Sequence, residues 1–216
     1  YNIFISGGAG AGKTTFLNIL SNYIPVSERI ITIEDSAELQ IQNVENIVRM
    51  ESRNANVEGK NQVTIRDLIR SALRMRPDRI VVGEIRDATA IDMLTAMNTG
   101  HDGSLSTGHA NSPKDMLNRL ETLVLMGMDI PLPAIRQQIS SAIDIIVHLG
   151  RLRDRSRKVL EICEIGNVVG GEIEVFPIFT FCELGEEEGR ILGTLERTGH
   201  VLRSMDKCRR AGVSLS

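Results

Sequence analysis

The stretch Gly7-Gly8-Ala9-Gly10-Ala11-Gly12-Lys13-Thr14-Thr15 sets one lysine and two hydroxyls at the end of a run of small residues. From Gly7 to Thr14 it fits G-x-x-x-x-G-K-[ST], a spacing suited to phosphate. Small side chains leave backbone N–H groups free to curl around phosphate oxygens. Lys13 then reaches the β- and γ-phosphates, and the Thr14 hydroxyl ligates Mg²⁺. Ile3-Phe4-Ile5 ahead of the loop reads as strand, and the apolar run behind it as a helix whose N-terminus faces the same anion. Strand, loop, lysine, hydroxyl and helix together predict a nucleoside triphosphate site.

Hydrolysis of ATP at such a site needs coordinated Mg²⁺, a carboxylate to orient water and donors on the γ-phosphate. Four polar clusters offer them: "TIEDSAEL" at 32–39, "GEIRD" at 83–87, "TGHDGSLSTGHANS" at 99–112, and an arginine-bearing loop with Arg49 and Arg53. Glu84 follows an apolar strand and is expected to serve Mg²⁺ or its waters. Gly83 stands where such strands usually carry an aspartate, so the metal contact is expected to be water-mediated. Glu38, on a loop beyond its strand, is the candidate for polarising the attacking water, and His109 for bonding the γ-phosphate. Each also has a plainer reading. Asp87 suits a helix cap, Glu34 and Asp35 suit backbone or arginine partners, and His101 suits loop ordering as well as function. Arg49, Arg53 and Arg86 suit surface ion pairs, worth about 0–1 kcal/mol.

These groups must be held by elements, and the chain alternates strand with helix. Strands are expected at 2–6, 29–34, 79–84, about 103–107 and 144–150. Helices are expected at 14–24, from Thr64 to Pro77, at about 88–98, from Ser112, and at 131–142. The first should bury Phe16, Leu17, Leu20, Tyr23 and Ile24 on one face. Thr64 with Asp67 has capping-box spacing, and Ser112-Pro113-x-Asp115 places cap, first-turn proline and acid in preferred positions. Residues 49–63 are polar and asparagine-rich, hence mostly loop, as is the acidic, glycine-rich 185–193. Repeated strand–helix units with a phosphate loop after the first strand predict an α/β fold with a mostly parallel sheet. Residues 1–150 form this core in the sequence reading. Residues 151–216 form a smaller mixed appendage of two or three strands and a short helix at 199–212. Because the first strand begins at once, a domain preceding residue 1 is expected.

Composition narrows the partners. Hydrophobic and charged contents of 42% and 25% are those of a globular protein, and a net charge of −3 gives no broad surface for nucleic acid. Aromatic residues make up 3% of the chain, too few for a base-stacking strip, so no direct nucleic acid contact is expected. Three widely spaced cysteines lack metal-ligand spacing and read as reduced packing residues. No run approaches the roughly 18 apolar residues of a membrane span.

Taken in order, these motifs resemble the secretion ATPase superfamily, the motors of type II and type IV secretion and of type IV pili. "GGAGAGKTT" is similar to its Walker A loop, "TIEDSAEL" to its Asp box, "RPDRIVVGEIRD" to its glycine-glutamate Walker B, and "TGHDGSLSTGHANS" to its His box. "NVEGKNQVTIRDLIRSALRMRPDRI", "AMNTGHDGSLSTGHANSPKDMLNRLETLVLM", "RLRDRSRKV" and "TGHVLRSMDKCRRAGVSL" resemble the CpaF-type branch, which serves tight-adherence (Flp) pili. The resemblance implies a RecA-like phosphate-loop core that binds ATP and Mg²⁺ through Gly7 to Thr15. It implies Glu38 as catalytic base, Glu84 as the Walker B acid, and His101 and His109 as the His-box pair. It also implies a hexamer, cytoplasmic and peripheral to the inner face of the membrane, working on inner-membrane platform proteins. One departure is Gly108, where a bulkier apolar residue is usual; it is expected to loosen His109. Two rival readings use the same core: a DNA-dependent motor, and an assembly module switched by nucleotide without turnover.

Overall fold

Helices cover both faces of the core sheet, so most of its strands are buried on both sides. The computed structural model describes residues 1–213. Its single sheet has nine strands, β1 Ile3–Gly7, β2 Ile30–Glu34, β3 Ile47–Glu51, β4 Arg79–Val82, β5 Leu105–Gly108, β6 Ile145–Arg151, β7 Arg157–Val169, β8 Glu172–Glu187 and β9 Arg190–Arg197. Their spatial order is β3-β2-β4-β5-β1-β6-β7-β8-β9. The first six pair in parallel and the last three continue the sheet antiparallel. The protein thus has an α/β fold on a large, mostly parallel mixed sheet.

Side chains alternate across the strands, so each strand feeds two cores. Phe4, Ile31, Ile33, Ile80, Val82 and Ile146 pack on one face beneath α2 (Ile65–Leu73), α3 (Ala90–Asn98), α4 (Pro113–Leu125) and α5 (Leu132–Ala142). Ile5, Ile30, Val81, Leu105 and Val147 pack on the other, under α1 (Lys13–Ser21) and the segment carrying Leu39, Ile41 and Val44. Local signals set the helix starts. Thr64 and Asp67 complete their capping box, and Ser112 accepts the Asp115 N–H ahead of Pro113.

Several sequence expectations are corrected. Tyr23 lies beyond the end of α1 and is 82% exposed, so it is absent from that helix's buried face. Residues 47–51 form the edge strand β3, which puts Arg49 on a strand rather than in a loop. Its two polar residues, Arg49 and Glu51, hid a short alternation in which Val48 and Met50 pack on one core while Ile47 packs on the other. Residues 185–193 are mostly a hairpin of β8 and β9 turning at Glu188-Gly189, both with positive φ. An exposed strand tolerates glutamates on its wet face, so acidity there did not mean loop. Residues 157–197 join the main sheet through the β6–β7 pairing, and α6 (Met205–Arg210) is shorter than the expected 199–212 helix. The last two residues of the C-terminal match, 214 and 215, lie outside the described residues.

Behind β7, Glu164 ties the C-terminal segment down. Its buried carboxylate accepts His200 Nε2 at 2.7 Å, the Arg203 and Ser204 N–H groups, and the Ser204 hydroxyl. Burial alone would raise that carboxyl, but these donors outweigh it and hold it below the usual glutamate range. His200 stacks on Phe176 at 4.7 Å, and the Arg203 guanidinium lies over the same ring at 4.0 Å.

Candidate active site

Parallel strands end on one edge of the sheet, and the connections leaving that edge converge on the end of β1. Between β1 and α1 the chain crosses the phosphate loop, with Gly10 and Gly12 both at positive φ. Gly12 at φ 94° is the N-cap of α1 and brings no capping side chain. A side chain on that residue would strain the backbone. The first-turn N–H groups of α1 therefore remain available to an anion. Lys13 folds back over the loop, donating to the Gly7 and Gly8 carbonyls at 3.0 and 3.1 Å.

A cleft of about 430 Å³ opens above the loop. Ala9 to Thr15, Glu38, Glu84, Arg86 and His109 all line it, while Gly7 and Gly8 lie beneath through their bonds to Lys13. The His109 Nδ1 stands 3.2 Å from Lys13 Nζ, and its Nε2 stands 2.8 Å from Glu84 Oε1. That second approach is off the line a hydrogen bond needs, so Glu84 Oε1 is a buried oxygen without a directed donor. The other oxygen of Glu84 accepts Arg86 Nη2 at 2.6 Å and Nε at 2.9 Å. Burial lowers the Lys13 pKa, Glu84 pulls it back up, and Arg86 adds to the lowering.

Glu38 is held from behind. Glu34, at the end of β2, is buried and accepts the N–H groups of Glu38 and Leu39, each at 3.0 Å. Burial raises the Glu34 carboxyl, and those two bonds partly offset it. Gly83 leaves the room: a Cβ there would stand 3.0 Å from Glu34 Cγ. The glycine in place of a strand-end aspartate thus makes space for the residue that orients Glu38. The Glu38 side chain is exposed and takes the Thr14 hydroxyl at 3.3 Å.

The Gly108 departure leaves no gap. A Cβ at Gly108 would meet Met116 Cε at 2.8 Å and Phe4 Cε1 at 3.0 Å, so those side chains already occupy the volume. Asp87 accepts the Thr89 N–H at 2.8 Å just ahead of α3, an Asx turn rather than the expected helix cap, since it leaves the first-turn N–H groups without a side-chain partner. Asp35 accepts the Ser52 hydroxyl.

Three arginine and histidine candidates lie elsewhere. Arg49 donates to the Ile41 carbonyl at 2.7 Å, and Arg53 to the Asn61 carbonyl at 2.9 Å. His101 precedes β5, at the opposite end of the sheet from the phosphate loop, with Nδ1 3.2 Å from the Ala96 carbonyl. Sequence reasoning missed Arg157, which begins β7 and lines the cleft, its Cδ 3.5 Å from the Cβ position of Gly12. Its only signal was the basic run "RLRDRSRKV" far along the chain.

Mg²⁺ is the metal this chemistry implies. Among the described residues no group of three or more His, Cys, Asp or Glu side chains is placed to hold a metal ion. Mg²⁺ keeps waters and substrate phosphates as ligands and needs one or two protein oxygens. The oxygens the cleft offers are the undirected Glu84 Oε1 and the Thr14 hydroxyl.

Comparison with known proteins gives a consistent set. The family model described as type II/IV secretion system protein matches residues 1–200. A type IV secretion system protein VirB11 of Bartonella quintana is 40% identical over 164 residues, 74% of this chain and 45% of the relative. The crystal structure of the VirB11 ATPase from the Brucella suis type IV secretion system, in complex with sulphate, superposes with a TM-score of 0.69 at 32% identity. It covers 76% of this chain and 49% of that one. The pilus retraction motor PilT with bound ADP shares the fold at a TM-score of 0.53 and 21% identity, over 98% of this chain and 52% of that one. The chain spans about half the length of the relatives it matches. Among the described residues no helix is long and apolar enough to cross a membrane.

Proposed function

The chain belongs to the type II/IV secretion system protein family, and on that premise we propose that it hydrolyses ATP as part of a ring-forming secretion or pilus motor. One observation carries the reading: Lys13, Thr14, Glu38, Glu84 and His109, from four separate segments, face a single cleft. Residues 1–150 act as a RecA-like phosphate-loop core. The loop amides and Lys13 hold the β- and γ-phosphates. Glu38 takes the proton from water as its oxygen bonds to the γ-phosphorus and the bond to the β–γ bridging oxygen breaks. His109 and Lys13 donate to the γ-phosphate as charge moves toward the leaving ADP, and Arg86 orients Glu84. When bound, Mg²⁺ neutralises the β and γ oxygens, and Thr14 and Glu84 are the residues that would hold it and its waters.

The motor is a hexamer of the CpaF-type branch, cytoplasmic at the inner face of the membrane, and inner-membrane platform proteins of a pilus or secretion system receive its motion. The four longer sequence matches to that branch support this finer reading. The test is Mg²⁺-dependent phosphate release over a range of protein concentrations, with and without single-stranded DNA, beside Lys13→Ala. Turnover should rise steeply with concentration, ignore DNA and fall about a hundredfold or more in the variant. ATP binding with no phosphate release at any concentration would replace the motor with a nucleotide-switched module. Strong stimulation by DNA would replace it with a DNA-dependent motor.

A further inference from the structure

His148 is a buried titratable ring that the chemistry above leaves unused. It sits on β6, in the sheet row that also holds the last residue before the phosphate loop. β1 runs between β5 and β6, and its Ser6 stands level with Gly108 on one side and His148 on the other. Ser6 is fully buried and directly precedes Gly7. Its hydroxyl lies 2.8 Å from His148 Nδ1.

The ring has a second partner. Burial lowers the His148 pKa, and the Asn111 backbone pushes it up, as an acceptor for a ring N–H does. A neutral imidazole has one N–H to give, so the nitrogen facing Ser6 accepts the serine O–H. Glu161, level with it on β7, and Asp115 of α4 are the charged groups that act on the ring through space. Asn111 follows His109 by two residues, and Thr107 precedes it by two. The Thr107 hydroxyl donates to the Gly83 carbonyl at 2.7 Å. The segment carrying His109 is therefore moored on both sides, to the end of β4 through Thr107 and to β1 through His148. Between these moorings His109 Nδ1 stands 3.2 Å from Lys13 Nζ.

We infer that His148 is a positioning residue: by joining Ser6 to Asn111 it fixes His109 relative to the phosphate loop, and with it the contact to the γ-phosphate. The inference rests on the nucleotide-hydrolase reading above. Calorimetric titration with ADP and with the non-hydrolysable β,γ-imido analogue of ATP, each with Mg²⁺, tests it, because His109 serves the γ-phosphate and ADP has none. His148→Leu and Ser6→Ala should each weaken the analogue about fivefold and leave ADP within about twofold. Ser6→Ala, the smaller change, carries the test if the leucine variant fails to fold. His148→Gln, whose amide offers both an acceptor and a donor, should bring the analogue back to within about twofold of the unmodified chain. In a His109→Ala background His148→Leu should cost the analogue nothing further, since the residue it acts through is gone. Equal weakening of ADP and the analogue would overturn the proposal, as would unchanged binding in both variants or a full further loss in the His109→Ala background. If the unmodified chain binds neither nucleotide, the site and this role fall together. The expected γ-phosphate discrimination without any phosphate release would uphold the positioning role and sink only the hydrolase.

Discussion

Glu164 and Glu84 are both buried or nearly so, both face a histidine, and they are wired in opposite ways. Glu164 has a donor for each oxygen from His200, Arg203 and Ser204, and the whole cluster serves to hold the C-terminal segment against β7. Glu84 keeps Oε2 on Arg86 and leaves Oε1 undirected, 2.8 Å from His109. A fully satisfied buried carboxylate has nothing left to offer a ligand, whereas one with a spare lone pair stores interaction for something that arrives later. Two glutamates with similar burial thus divide between structure and chemistry. The division is visible only in their partners.

The sharpest way to break this comparison is to neutralise each carboxylate in turn. Glu84→Gln should cut phosphate release by about a hundredfold or more while changing unfolding free energy by less than about 1 kcal/mol. Glu164→Gln should do the reverse, losing about 3 kcal/mol in urea unfolding because a buried charge-assisted cluster is broken, with turnover per folded molecule retained. Equal effects on both properties in either variant would end the distinction. Gly83→Ala comes next. Its new Cβ, 3.0 Å from Glu34 Cγ, must displace the residue that pins Glu38. A loss of about 1 kcal/mol in thermal unfolding and a severalfold lower kcat with unchanged KM are expected.

His148 offers a smaller, pH-dependent contrast near the same strands. Its ring is buried with Nδ1 2.8 Å from Ser6 Oγ, and burial lowers its pKa below the ordinary 6.5. The unfolded chain therefore takes up a proton first, so stability is full above pH 6.5 and declines as pH falls from there toward the lower folded value. His148→Asn should flatten that acid decline in urea midpoints measured across this range. Arg49→Ala has the smallest expected effect. With its guanidinium on the Ile41 carbonyl, away from the cleft, phosphate release should change by less than about twofold.

How much of this could be read in advance depends on how local each signal was. The phosphate loop was legible because strand, glycines, lysine and helix start lie within a dozen residues and each has its own physical reason. The caps at Thr64 and Ser112 were legible on the same ground. The strand β3 was not, since an edge strand of five residues with Arg49 and Glu51 on its wet side resembles loop in composition. The β8–β9 hairpin was missed in the same way, its glutamates read as solvent-loving loop. Arg157 reaches the loop from a strand well over a hundred residues away, and no spacing rule connects it to Gly12. His101 misled for the opposite reason. It shares a motif with His109, but β5 runs between them and sends them to opposite ends of the sheet.

The role given to Glu38 is the centre of this account, and single-turnover phosphate release by Glu38→Gln, with ATP affinity measured on the same protein, tests it most directly. Because the side chain is exposed and oriented through Glu34 rather than through the phosphates, ATP affinity should stay within about threefold while release slows by about a hundredfold or more. Release at the unchanged rate with ATP still bound would contradict it and leave the attacking water without this base.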